Sequence, residues 1–228
     1  MKRVKIVLAV LAAALVGVTT WHLPRTREPI YQGKPLSSWL LAYREDSTGK
    51  EEEEAVLEAG TNAIPTLLRM LRAKDSPLKI RLMSLLQKQK VFKIEYTPAA
   101  KWKTGALRGF EILRGKAQSA VPTLVEIANQ DNSPECQHIA VWALCAIGPP
   151  AKAAVPSLLK LATNSDENIR LCAIFALDSI HAEPDKVTPV LIRALNDPSP
   201  HVRPHATNVL RNIDPEAAAK AGITNSVP

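Results

Sequence analysis

One phrase is written three times in the second half of this 228-residue chain. Ala120-Val121-Pro122-Thr123-Leu124 returns as Ala154-Val155-Pro156-Ser157-Leu158 and again as Val187-Thr188-Pro189-Val190-Leu191, with the prolines 34 and then 33 residues apart. Each unit carries a second phrase further on. Ala140, Ala143, Leu144 and Ile147 correspond to Ala173, Ala176, Leu177 and Ile180, and then to Ala206, Val209, Leu210 and Ile213. Steps of this size trace one apolar face of a helix. Proline fits the first turn of a helix, where its missing N–H has no partner to lose. Each unit therefore reads as a helix opened by proline, followed by a second helix with a stripe of small residues and leucine. Helix pairs repeated with a period in the thirties predict an all-α fold, an α-α superhelix in which each unit hides its apolar side against its neighbours.

The residues that open the units and the turns between their helices resemble the HEAT repeats, in the short PBS-lyase-like variety. The turns read Asp75-Ser-Pro-Leu-Lys-Ile-Arg81, Asn164-Ser-Asp-Glu-Asn-Ile-Arg170 and Asp197-Pro-Ser-Pro-His-Val-Arg203. The resemblance implies a right-handed solenoid in which the acidic or amide residue caps the turn and the arginine ties neighbouring units. Asp75, Arg81, Arg170, Asp197 and Arg203 are thus expected to form a structural ladder. The second unit departs from the pattern, with Gln137 at the arginine position. The resemblance spans residues 63–213 and speaks to fold more than to function, because sites are grafted onto such scaffolds.

The chain begins with Met1-Lys-Arg-Val-Lys5, and residues 6–21 carry no charge. Sixteen residues of helix span about 24 Å, against about 30 Å for a hydrocarbon core. Residues 1–22 are read as a signal-anchor helix, with a cleaved signal peptide as the alternative. The basic start places the repeats on the outer, extracytoplasmic side of the membrane. Residues 23–34 read as a linker and 35–62 as capping helices, with Leu36, Trp39, Leu40 and Tyr43 on one apolar face. The stretch Tyr31 to Trp39 is similar to the lead-in of exported bacterial proteins with HEAT-like repeats. Residues 63–213 form the repeat domain, with Pro77 to Lys90 as the second helix of the first unit. Pro65 and Pro122 are 57 residues apart, so an insertion at 91–115 is expected, carrying an extra amphipathic helix capped by Thr97. Residues 214–228 form a C-terminal cap and tail.

The net charge of +7 is unevenly spread. Residues 63–116 hold thirteen basic and three acidic side chains, whereas 117–228 hold eight and eleven. Lys79, Lys88, Lys90, Lys93, Lys101, Lys103 and Arg108, with Phe92, Tyr96 and Trp102 among them, make a candidate basic patch for a partner. Such a stripe suits an acidic protein or anionic headgroups outside the membrane. Its alternative is phosphate-backbone contact with nucleic acid, in the manner of HEAT-type DNA glycosylases, which export would disfavour.

Nothing in the sequence gathers catalytic groups. His201 and His205 are four apart but interleaved with prolines and lack a third ligand, so they read as surface histidines, with His138 isolated. Cys136, Cys145 and Cys172 have no metal-ligand spacing and read as buried thiols. No cofactor, metal or small-molecule substrate is called for. The expectation is a non-catalytic scaffold for a protein or peptide, with nucleic-acid binding second and a lyase- or glycosylase-like enzyme third.

Overall fold

The computed structural model describes residues 28–42, 49–87, 97–130 and 133–223, so the hydrophobic run at 6–21 lies outside the described residues. Among the described residues no helix is long and apolar enough to cross a membrane. Ile30–Tyr31 (β1) and Lys34–Pro35 (β2) pair antiparallel, where a linker is expected up to Lys34 and the start of the first capping helix at Pro35. Gln32 and Gly33 make the turn, both at positive φ, the geometry a two-residue hairpin loop demands. The rest is helical. Leu36–Ala42 (α1) and Lys50–Ala59 (α2) form the cap, followed by Ile64–Leu71 (α3), Pro77–Gln87 (α4) and Ala99–Leu113 (α5). Three helix pairs come next: Val121–Asn129 (α6) with Pro134–Ile147 (α7), Val155–Leu161 (α8) with Glu167–Ser179 (α9), and Pro184–Ala194 (α10) with Val202–Ile213 (α11). Pro215–Lys220 (α12) closes the stack.

Local chemistry sets these boundaries. Pro65, Pro122 and Pro156 each sit in the first turn of their helix. The third unit differs: α10 starts at Pro184 and holds Pro189 in its interior. Ser133, Asp166 and Asp214 cap α7, α9 and α12 by accepting backbone N–H groups, the role for which such side chains are favoured. Gly148 ends α7 at positive φ.

The repeated phrase is the core. Ala140, Ala143 and Leu144 of α7, Ala173, Ala176 and Leu177 of α9, and Ala206 and Leu210 of α11 are fully buried. One continuous apolar cluster runs from Leu36 of the cap to Ala218 of α12. The second helices α5, α7, α9 and α11 pack along one another in sequence order, whereas α6 and α8 of the first-helix layer meet only lightly. A stack with one layer drawn closer curves towards that layer, so the second helices line the inner side.

The first unit is built differently from the expectation. The helix paired with α3 is α5, not Pro77–Lys90. Ala106, Phe110 and Leu113 of α5 are buried at the places of Ala140, Leu144 and Ile147, one period earlier. Two glycines permit the approach. A Cβ on Gly109 would stand 2.3 Å from Leu67 Cδ2, and one on Gly105 would stand 3.0 Å from Met70 Cε and 3.2 Å from the Leu40 carbonyl oxygen. The extra helix is α4, which packs closely against no other described element. The departure from the period therefore lies between α3 and α5 instead of at 91–115.

Candidate interaction surface on the inner helices

The ladder is carried by the residues one period apart at the start of each second helix: Lys103, Gln137, Arg170 and Arg203. Arg170 Nη1 donates to the carbonyls of Asn164 (2.9 Å) and Ser165 (3.0 Å) in its own turn. Its Nε and Nη2 donate to Asp197 Oδ2 (2.8 Å) and Oδ1 (2.7 Å) in the next. Both side chains are buried, and such bidentate pairing is the strong form of the contact. The hydrogen bonds to Arg170 hold the Asp197 carboxyl below its ordinary range and raise the guanidinium. Arg203 repeats the local half, donating to the Asp197 and Pro198 carbonyls at 2.7 and 3.1 Å. Where Gln137 replaces arginine, the following turn carries Asn164 in place of aspartate. Both charges are missing together, so no buried carboxylate is left unpaired.

Asp75 and Arg81 stand one helix before the ladder position of their unit. The Asp75 carboxylate accepts the Ala99 N–H at 3.0 Å and so caps α5, the role expected of Thr97. Arg81 stands exposed on α4. Lys103 takes the ladder position instead. It is only 4% exposed and pairs with Glu135 at the start of α7. Burial works against its charge, but the hydrogen bond to Glu135 raises its pKa overall. A residue held in this way is part of the frame and not of a partner-binding patch.

The rest of the basic patch divides. Lys88, Lys90 and Lys93 lie outside the described residues, and only the backbone of Lys79 is described. Lys101 is exposed, and Arg108 pairs with Glu111 at 3.5 Å. Lys101, Thr104 and Arg108 share a depression of about 170 Å³ between α1 and α5.

The open strip of each second helix holds a feature that motif spacing did not bring out. Trp142 on α7 and Phe175 on α9 are both half-buried, one period apart, and stack with ring centroids 5.8 Å apart and planes at 29°. His205 of α11 lies against Phe175 at 4.5 Å, and His138 meets Trp142 edge-on at 6.3 Å. Trp142 Nε1–H donates to His138 Nε2 at 3.1 Å, so that nitrogen carries no proton and the imidazole is neutral. His138 and His205 thus belong to an aromatic row crossing three units, not to isolated surface positions, whereas His201 is exposed. The spacing of 33 between Trp142 and Phe175 was the available signal: equal positions in successive units bring their rings together.

Partial burial shifts the titratable groups along the row. Burial pushes the His138 pKa down, with Asp166 opposing weakly, and raises the Cys145 thiol and the Asp178 carboxyl. Beneath the row, burial drives the Cys172 thiol up to about 12. Each of these groups is moved towards its uncharged form. Open depressions flank the strip. One of about 410 Å³ lies between the starts of α7 and α9 beside His138, and one of about 690 Å³ lies between the ends of α5 and α7 beside Arg108. All three thiols are free, and among the described residues no three His, Cys, Asp or Glu side chains gather as a metal ion would need. Trp39 is covered in the cap, its Nε1–H donating to the Tyr31 carbonyl with Lys34 Nζ 4.5 Å from its ring centre.

A family model described as HEAT repeats matches residues 121–187 and 155–221. No curated protein matches the chain.

Proposed function

We propose that this chain, a member of the HEAT repeats over residues 121–221, is a non-catalytic scaffold that holds a protein or peptide along its inner helices. The observation that carries the reading is the half-buried row His138, Trp142, Phe175 and His205, with His138 itself and Asp178 on α9 driven by burial towards their uncharged forms. Large, partly desolvated aromatics are the side chains that anchor protein partners. A surface of that kind offers little to a phosphate backbone, whose affinity comes from clustered cations. At the α5 end of the strip, exposed Lys101 favours an acidic stretch in the same partner. We further take residues 6–21 as a membrane anchor that keeps the repeats on the outer face of the cytoplasmic membrane. The basic start and the uncharged run support that placement.

The test is site-specific photocrosslinking in cells. A benzoylphenylalanine at exposed Asn208, one period after Phe175, is expected to trap a discrete protein in the membrane fraction. The same group at Lys160, exposed on the first-helix layer, is expected to trap none. Equal trapping at both sites, or crosslinks to nucleic acid, would overturn the reading.

A further inference from the structure

The helix left out of the stack has a chemistry of its own. On α4, Leu78 is 80% exposed, and Ile80, on the far side of the helix at 100° per residue, is 48% exposed. In sequence, Leu78, Leu82, Leu85 and Leu86 recur at the spacing of a single helical face. Lys79 and Arg81 fall on the two borders of that stripe, at about +100° and −60° from Leu78 at 100° per residue. No acidic residue occurs between Asp75 and Glu95. An apolar stripe edged by cations is the pattern of a helix that lies in a bilayer surface.

The covalent chain limits how far this helix can stand from residues 6–21. Glu28 pairs with Arg69 of α3 and accepts from Ser37 Oγ at 2.7 Å, so the first unit is gripped at residue 28. The seven residue-to-residue steps from Trp21 to Glu28 reach at most about 25 Å when fully extended. Six residues after the end of α3, α4 begins.

We propose that α4 is an interfacial helix, which lays Leu78 into the outer surface of an anionic bilayer while its basic borders meet the headgroups. The inference rests on the membrane placement proposed above for residues 6–21. It gives the first unit, rather than the aromatic row, the task of orienting the scaffold. The inner strip then stays clear for its partner.

The test uses the full chain in vesicles of phosphatidylcholine alone or with phosphatidylglycerol. An environment-sensitive fluorophore is placed on Leu78→Cys, with the unsubstituted chain labelled in parallel to account for the half-buried Cys145. In phosphatidylglycerol vesicles the emission is expected to shift to shorter wavelength and to be quenched by a nitroxide on the lipid tail. Lys79→Glu with Arg81→Glu is expected to abolish both effects. Equal shifts in the two vesicle types, or self-quenching between labelled copies in place of lipid quenching, would overturn the inference. Flotation of the chain with the vesicles reports the anchor separately. A chain that floats with its probe still in water removes this inference alone, and one that does not float removes the membrane placement and this inference with it.

Discussion

The stack from α6 to α11 and the stack from α1 to α5 solve one packing problem with different materials. In the former, each second helix follows its partner after a short turn, and the charge on Arg170 is met by Asp197 with both groups buried. In the latter, a whole helix intervenes, the ladder cation is a lysine, and its partner Glu135 is about half exposed. The fold survives because position along the stack is set by what can reach the core. In α5 the core places are held by Ala106, Gly109, Phe110 and Leu113. If Arg81 were the ladder residue, the places of Ala143 and Leu144 would fall to Gln87 and Lys88. Burying that lysine unpaired would oppose folding strongly, and α4 is left outside.

The largest expected effect breaks the pairing of the regular half. Arg170→Met leaves the buried Asp197 carboxylate unpaired and is expected to destabilise by about 3–5 kcal/mol in urea unfolding. Lys103→Met leaves Glu135 hydrated, and about 1–2 kcal/mol is expected. Equal losses would mean that the two ladders do not differ in burial. Gly109→Ala comes next, since its Cβ would stand 2.3 Å from Leu67 Cδ2; overpacking of this kind costs about 1–3 kcal/mol.

Two smaller effects depend on pH. The folded pKa of Asp197 lies below its unfolded value, so its contribution is present above about pH 3.9 and is lost as pH falls through the lower folded value. Asp197→Asn is expected to remove that acid-sensitive part of the stability curve. The folded pKa of His138 is also depressed, so in the unfolded chain it takes up its proton first. Stability is expected to decline as pH falls from about 6.5 towards the folded value, and the Trp142 part of the emission to titrate below the ordinary histidine range. His138→Gln should abolish the latter titration. The smallest effect is expected at Lys101→Glu, exposed and away from the core, within about 0.5 kcal/mol.

The regular half was legible in the sequence because the same residues recur at a fixed distance and all serve the core. The first unit was misread because Asp75 to Arg81 matches the turn phrase locally. A seven-residue match is blind to the chain beyond it, and here Lys88 and Lys90 stand where a second helix needs apolar side chains. Counting periods back from Arg170 through Gln137 lands on Lys103 and would have found the true second helix. The aromatic row was hidden for a different reason. Trp142 and Phe175 share a position but not an identity, so a comparison of letters passes over them where a comparison of ring types does not.

Hydrogen exchange of the backbone amides tests the arrangement of the first unit most directly. Amides from Ala106 to Leu113 in α5 are expected to be protected to the same degree as those from Ala140 to Ile147 in α7, while those from Arg81 to Ser84 in α4 exchange far sooner in the absence of lipid. Strong protection of α4 with rapid exchange along α5 would contradict it, and would return Pro77–Gln87 to the stack.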